Sequence, residues 1–297
     1  MAAIDINRGT TGINLPYQVS NEMWSKTQEQ SAIMQLATAI ELPGSGVEVD
    51  MITGDPEAAW VDETEEIKVS KGSSSSKKIK GYTMAVIVPF SNKFARDKAR
   101  LYDEMVARVP LVLAEKFDGT VFGKFDKPGE LFDQFTGCTG VDIKADPWSG
   151  LVAADAAIAE QNAILNGYCM SPKMKSLLLT AKDGMERPLF VNSIAANGVP
   201  VIMGNPTYQS RSAYIAGNNA TSKPETLGVA GDWTSARYGV VQGITADISR
   251  ESTLTIEGKP VNLWQRGMFA VKFEIEIGFR FKYQEDFVRL TGAIPSA

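Results

Sequence analysis

The sequence predicts an elongated α+β fold, and three observations carry that expectation. Near the end of the chain, Phe269, Val271, Phe273, Ile275, Ile277, Phe279, Phe281 and Tyr283 alternate with Ala270, Lys272, Glu274, Glu276, Gly278, Arg280 and Lys282. Period two over that span describes one strand with a buried and a wet face, longer than the usual strand of about 5–6 residues. From residue 92 to 125, Phe94, Leu101, Met105, Val109, Val112, Leu113, Phe117 and Val121 return at helical spacing. That spacing predicts a single helix of roughly 45 Å at about 1.5 Å per residue. The middle third mixes short strand and helix signals, an α+β pattern. A long helix and a long strand suit an extended scaffold better than a fold closed around a cleft.

Taken in order, residues 1–19 are polar and Gly/Thr-rich and cannot pack alone, which predicts an arm. Ser20 is placed to cap a helix reaching about Ala39, with Met23, Trp24, Ile33, Met34 and Leu36 as a loose apolar face. Strand signals follow at Val47, Val49 and Met51, at Ala58 to Val61, and most clearly at Tyr82, Met84, Val86, Val88 and Phe90. Between the last two lies DETEEIKVSKGSSSSKKIK, from which no core can be built, so the expectation is a two-stranded ribbon with a charged tip. Pro110 should end or kink the long helix near Val109, and Gly119 and Gly123 weaken its far end.

Residues 126–150 are turn-rich, with Pro128-Gly129 and Pro147. A helix is expected from Ala154 to a stop at Gly167, then a brief strand at Tyr168-Cys169-Met170. Ser171 and Pro172 supply an N-cap and first-turn proline for the helix SPKMKSLLLTAKDG. Val199 to Met203 reads as a short strand. Tyr208 to Gly231 reads as polar and loop-like, and Tyr238 to Ile244 opens another strand series.

Composition narrows the function classes. The chain has 297 residues, 44% hydrophobic and 22% charged, with a formal net charge of -5. It is long enough for one large domain or two smaller ones, it does not read as disordered, and it lacks the basic excess of a nucleic-acid binder. It contains no histidine, which removes His-based general bases, His-Asp relays and the common zinc ligand sets together. Cys138 and Cys169 have no ligand-like spacing, and a disulfide framework is not expected. The start MAAIDINRGTTG carries no secretory signal pattern, and no apolar run approaches the roughly 18 residues of a membrane span.

Catalytic motifs are absent: there is no GxGxxG opening a helix, no GxxxxGK[ST] and no GxSxG. Asp50, Asp55 and Asp232 form no spaced set, and Asp62, Glu63, Glu65 and Glu66 fall in a solvated run rather than on rigid elements. Glu274 and Glu276 lie beside Lys272 and Arg280, where surface ion pairing is the ordinary role. Trp24, Trp60, Trp148, Trp233 and Trp264 are core or interface residues. Lys71, Lys77, Lys78 and Lys80 make the return side of the ribbon basic, available to an acidic patch on a neighbour or simply to solvent. The expectation is a non-enzyme with no catalytic, cofactor-binding or metal-binding residues and no cofactor.

Several segments together resemble the HK97-type major capsid protein family of tailed double-stranded DNA bacteriophages, which encapsulins share, from about Pro16 to Gly292. AAWVDETEEI, the polar loop and KKIKGYTMAVIVPFSNKFARD are similar to that family's extended loop leading into its spine helix, and LAEKFDGTVFGKF to the end of that helix. CMSPKMKSLLLTAKDGMERPLF with GVPVIMGNP resembles its axial-domain helix, loop and strand. GDWTSARYGVVQGITADISRES and NLWQRGMFAVKFEIEIGFRFKYQEDFVRLTG resemble the close of the axial domain and the long returning strand.

The resemblance implies an arm and short helix over 1–44, an extended loop over 45–90 and a peripheral domain with the spine helix over 91–148. An axial domain follows over 149–259, and residues 260–297 return to the peripheral domain. It implies a major capsid protein that self-assembles into pentamers and hexamers of an icosahedral shell, found in the virion and assembled in the host cytoplasm. Implied partners are copies of itself, a portal protein, and scaffold and decoration proteins where these exist. Double-stranded DNA is enclosed without sequence-specific binding, and no membrane is involved. Some members join subunits by a Lys–Asn isopeptide bond assisted by a glutamate. Glu274 matches that glutamate, but Gly267 stands near the asparagine position, so no covalent cross-linking is expected. The chain begins almost at the arm, which points to a separate scaffold or none. Alternatives are an encapsulin-like compartment shell, distinguished by its cargo, a tail or decoration protein of small fixed oligomer, and an α+β enzyme with a convergent polar pocket.

Overall fold

The computed structural model describes residues 17–44, 49–52, 60–61, 76–93, 99–183, 185–187, 189–190, 201–218, 223–256 and 258–292. Residues 1–16 of the expected arm, the second apolar run up to Ala59 and residues 62–75 of the expected tip lie outside them.

Two sheets carry the body. The first is ordered β1 (Thr38–Glu41), β10 (Ala236–Ser249), β13 (Met268–Phe281) and β4 (Tyr82–Ser91). The strict alternation in β13 becomes an apolar face of Val271, Phe273, Ile275, Ile277, Phe279 and Phe281, all buried. The spine helix α3 (Ala99–Phe122) packs Val109, Leu113, Phe117 and Val121 into the same core. The helix continues past Pro110, so the proline does not end it. The proline forfeits one backbone hydrogen bond, but burial of the residues on either side holds the helix together, as tertiary packing does for most helices. It ends at Phe122, where Gly123 adopts φ 93 and donates to the Gly119 and Thr120 carbonyls at 3.1 Å.

The second sheet is ordered β5 (Thr139–Asp142), β14 (Phe287–Thr291), β9 (Thr226–Gly231), β6 (Gly167–Met170), β8 (Asn205–Gln209) and β7 (Val201–Ile202). Strand β9 falls where a polar loop was expected. All six of its residues are buried, so it has no wet face to produce alternation. Its glycines admit close neighbours: a Cβ on Gly228 would stand 2.6 Å from the Cys169 carbonyl oxygen, and one on Gly231 2.6 Å from that of Asp286. A second core of Ile143, Leu151, Ile158, Met174, Leu178 and Leu290 lies on one side of this sheet.

Helices α1 (Tyr17–Gln30) and α2 (Ala32–Leu36) replace the single helix expected from Ser20 to Ala39; Ser20 is internal to α1 and Ser31 caps α2. Helix α4 (Pro147–Ala159) starts earlier than expected, with Asp146 as cap and Pro147 in the first turn. It stops before Asn162 at φ 58, while Gly167 opens β6 instead of ending a helix. Helix α5 (Pro172–Thr180) follows its expected cap, Ser171.

Two hairpins stand apart from both sheets: β2 (Val49–Ile52) with β3 (Ser76–Ile79), and β11 (Thr253–Ile256) with β12 (Lys259–Asn262). The first differs from the ribbon expected between the apolar runs at 58–61 and 82–90. It pairs the earlier strand signal with residues 76–79 of the expected tip, Val49 opposite Ile79 and Ile52 opposite Ser76, while 82–91 joins the first sheet as β4. Sheet membership also crosses the expected segment boundaries. Strand β10, from the 149–259 segment, lies in the first sheet, and β14, from 260–297, lies in the second. The sheets are joined by an aromatic hub around Phe135, which is fully buried. Its ring centroid is 5.2 Å from Phe287, 5.4 Å from Phe281, 5.6 Å from Trp233 and Phe122, and 5.9 Å from Phe279.

Candidate functional site

Acidic side chains do not converge into a chemical site. Among the described residues, no group of three or more His, Cys, Asp or Glu could hold a metal. Asp232 caps a helical turn, accepting from Thr234 N–H at 3.0 Å and Asn166 Nδ2 at 2.7 Å. Glu274 is paired with Lys272 Nζ at 2.9 Å. Glu225, almost buried, takes Lys144 at 3.3 Å and Lys173 at 2.5 Å, so the pull of its hydrogen bonds to these lysines outweighs desolvation and holds its carboxyl below the ordinary range. Asp62, Glu63, Glu65 and Glu66 lie outside the described residues. Both cysteines are buried free thiols, pushed up by burial, Cys138 to about 12.

Among the described residues Asp118, on the inward side of α3, is the most deeply buried carboxylate, 1% exposed. It accepts Ser31 Oγ at 2.5 Å, the Ala32 N–H at 3.0 Å and Ser210 Oγ at 3.3 Å. It thereby fastens the start of α2 and the end of β8 to the spine helix. Burial lifts its pKa to about 6, against the lowering effect of those hydrogen bonds. A cleft lined by Gln30, Leu111, Glu115, Gln209 and Arg211 opens beside it, but the acid's oxygens are taken by hydroxyl and amide donors that tie three elements together, and the group is a joint.

The remaining features are surfaces. The expected wet face of β13 is covered at Glu276, Gly278 and Arg280, where the chain leaving β3 crosses it. Gly239 and Gly278 are register partners on β10 and β13. A Cβ on Gly278 would stand 2.2 Å from the Lys80 carbonyl oxygen, and one on Gly239 2.6 Å from Leu42 Cδ1. Gly81 sits over Glu276, which is 9% exposed as a result. Arg280 donates from Nη1 to the Lys78 carbonyl at 2.6 Å and from Nε and Nη2 to the Asp133 carboxylate at 3.2 and 3.3 Å. Lys77, one of the basic residues expected to face outward, donates to the Phe281 carbonyl at 3.3 Å. None of this was anticipated from sequence, although Gly278 breaks the polar series Lys272, Glu274, Glu276, Arg280, and glycine inside a strand signals a close backbone approach.

The tryptophans divide. Trp233 is core and Trp24 half-buried, while Trp148 is exposed and Trp264 and Trp60 are 74% and 104% exposed. Trp264 lies just beyond the β11–β12 hairpin. Along the spine, Val112 is exposed in an apolar groove lined by Val86, Val88, Val109 and Phe273, and Ile87 is exposed on the opposite face of β4. Apolar side chains exposed singly are ordinary on a protein surface, so the contiguous groove along the spine is the better candidate for a contact surface.

A family model described as the phage capsid family matches residues 11–292. The chain is 23% identical over 290 residues to a probable major capsid protein of Mycobacterium phage D29, covering 93% of this chain and 89% of the relative. It is 23% identical over 278 residues to the major capsid protein of Staphylococcus phage 80alpha, covering 90% and 82%. Among solved structures, a chain of Gordonia phage Cozz superposes with a TM-score of 0.72 at 20% identity, covering 90% of this chain and 87% of that one. A chain of Microbacterium phage Oxtober96 gives 0.69 at 19% identity, covering 88% and 91%. The spine helix against a long strand, the two sheets and the separate hairpin are thus the HK97-type fold, and the protein belongs to the phage capsid family as a structural, non-catalytic component of a viral shell.

Proposed function

We propose that this chain is the major capsid protein of a double-stranded DNA phage, and that it assembles as pentamers and hexamers into an icosahedral shell around the genome. The first sheet and α3 act as the peripheral domain, the second sheet as the axial domain at the capsomer centre, and the β2–β3 hairpin as the extended loop laid over the next copy. The observation that carries this is the hairpin itself. It belongs to neither body sheet, and a two-stranded hairpin is marginal alone in water, so a neighbouring copy is the natural source of its stability. Closed symmetry then multiplies each modest contact over the shell.

DNA is contained without base recognition, consistent with the net charge of -5, since a strongly cationic wall would bind phosphate backbone everywhere. One vertex takes a portal protein, and scaffold or decoration proteins join where the phage has them. Assembly occurs in the host cytoplasm. Electron microscopy and native mass of the purified protein test this reading: closed shells or free pentamers and hexamers are expected. A monomer or dimer that never assembles across salt conditions and with candidate scaffolds would overturn it. Cargo distinguishes it from an encapsulin-like compartment, which would hold an enzyme instead of DNA.

A further inference from the structure

The hairpin β2–β3 is joined to the body through a short crossing, Ile79 to Gly81, and that crossing lies in a place made for it. Gly239 and Gly278 stand side by side on adjacent strands. Neither has a positive φ, so backbone conformation does not demand glycine at either position. Space does. Any side chain at Gly278 meets the Lys80 backbone, and any at Gly239 meets Leu42 and Ile79. Glycine weakens a strand interior, yet here two adjoining strands carry it at the same level.

The chain seated on this flat patch is held by both packing and polar contacts. Ile79 is fully buried and forms a small core with Leu42, separate from the two main ones. Arg280 grips the Lys78 carbonyl with one nitrogen and Asp133 with two others, and the Lys77 ammonium returns to the Phe281 carbonyl. Arg280 and Asp133 are both mostly buried, so the fork geometry of the guanidinium is worth more than an exposed pair would be. These contacts at the base of the hairpin give it its direction.

We propose, building on the reading of this hairpin as the element that reaches a second copy, that Gly239, Gly278 and Arg280 form a seat that sets the direction in which the hairpin leaves the body. The seat determines which surface of the neighbouring copy the hairpin meets. These are positioning residues. They act through the stem, and the body does not need them to complete its two cores.

The test compares wild type with Gly278→Ala, Arg280→Ala and Arg280→Lys, each as the whole chain. Three readouts are taken: thermal unfolding of unassembled subunits, hydrogen exchange of peptides covering residues 76–82, and electron microscopy of the assembly product. In every variant the stem is expected to exchange about tenfold faster, as a locally loosened segment does. Gly278→Ala should keep the wild-type melting transition of the body, while Arg280→Ala should also lower it, because Asp133 is left mostly buried without its partner. Uniform closed shells should give way to open or irregular ones. Arg280→Lys should fall short of wild type, because an ammonium cannot hold a carbonyl and a carboxylate in one plane.

Unchanged stem exchange would overturn the seat, and faster exchange with uniform shells would overturn its role in choosing the neighbour's surface. Should Gly278→Ala fail to fold, the two Arg280 variants, which leave the glycine pair intact, decide the matter alone. Failure of wild type to form any shell would instead overturn the shell reading, and the exchange comparison would still judge the seat.

Discussion

Replacing Asp118 by asparagine should remove a specific pH dependence of subunit stability. In the folded chain the carboxyl is 1% exposed, and burial raises its pKa from 3.8 to about 6 despite hydrogen bonds from Ser31, Ala32, Ile33 and Ser210. Between those two values the folded chain keeps a proton that the unfolded chain has already released. The folded state then binds more protons, so stability falls as pH rises through the window. Each tenfold change in proton activity is worth about 1.36 kcal/mol, which makes the effect on the order of 3 kcal/mol, present in full below about pH 4 and lost above about pH 6. Asparagine cannot titrate. Urea unfolding of unassembled wild type and Asp118→Asn, followed by tryptophan fluorescence at several pH values from 4 to 7, isolates this group because every other carboxylate is common to both. Relative to wild type, the variant should gain about 3 kcal/mol between the two ends of the range. A gap between the two proteins that stays flat across the series would refute the assignment of Asp118 as a buried, desolvated joint.

Tyr168→Phe should leave stability unchanged or raise its melting temperature, because the Tyr168 hydroxyl is fully buried with no hydrogen-bond partner among the described residues. An unpaired buried hydroxyl costs about 1–3 kcal/mol, and a lower melting temperature in calorimetry would mean a partner exists. Shells boiled in detergent under reducing conditions should run as a single monomer band, since Glu274 is engaged by Lys272 and the expected asparagine position is Gly267, at a positive φ in a turn. A ladder of covalent multimers would contradict this.

What could be seen in the sequence is what depends on local period. Strand β4 is half-buried and so alternates, β13 alternates in polarity although its polar face is partly covered, and α5 announces itself with Ser171 and Pro172. Strand β9 is buried on both faces and contains two close-approach glycines, so it reads like a loop. The break between α1 and α2 depends on Asp118, 87 residues away from the Ser31 hydroxyl it accepts, and no local window contains both. Pro110 is a strong stop signal that loses to packing against β13. The start of α4 at Asp146-Pro147 was legible as a capped first turn, yet those residues read equally well as loop chemistry. The seat at Gly239 and Gly278 shares this non-local character: neither glycine has meaning until residues 79–81 are laid across both.

The order of strands also has a consequence for synthesis. Strand β13 sits between β10 and β4, and β14 between β5 and β9. While the chain is being made, β4, β5, β9 and β10 therefore emerge without the strand that will lie between them, and each sheet stays split until residues 268–291 arrive. An incomplete chain lacks the aromatic hub contributed by Phe279, Phe281 and Phe287 as well. Folding of the body thus waits for residues 268–291, against the usual N-terminal-first order. A chain cut short before residue 268 lacks the strand that joins the two halves of each sheet, so it can complete neither.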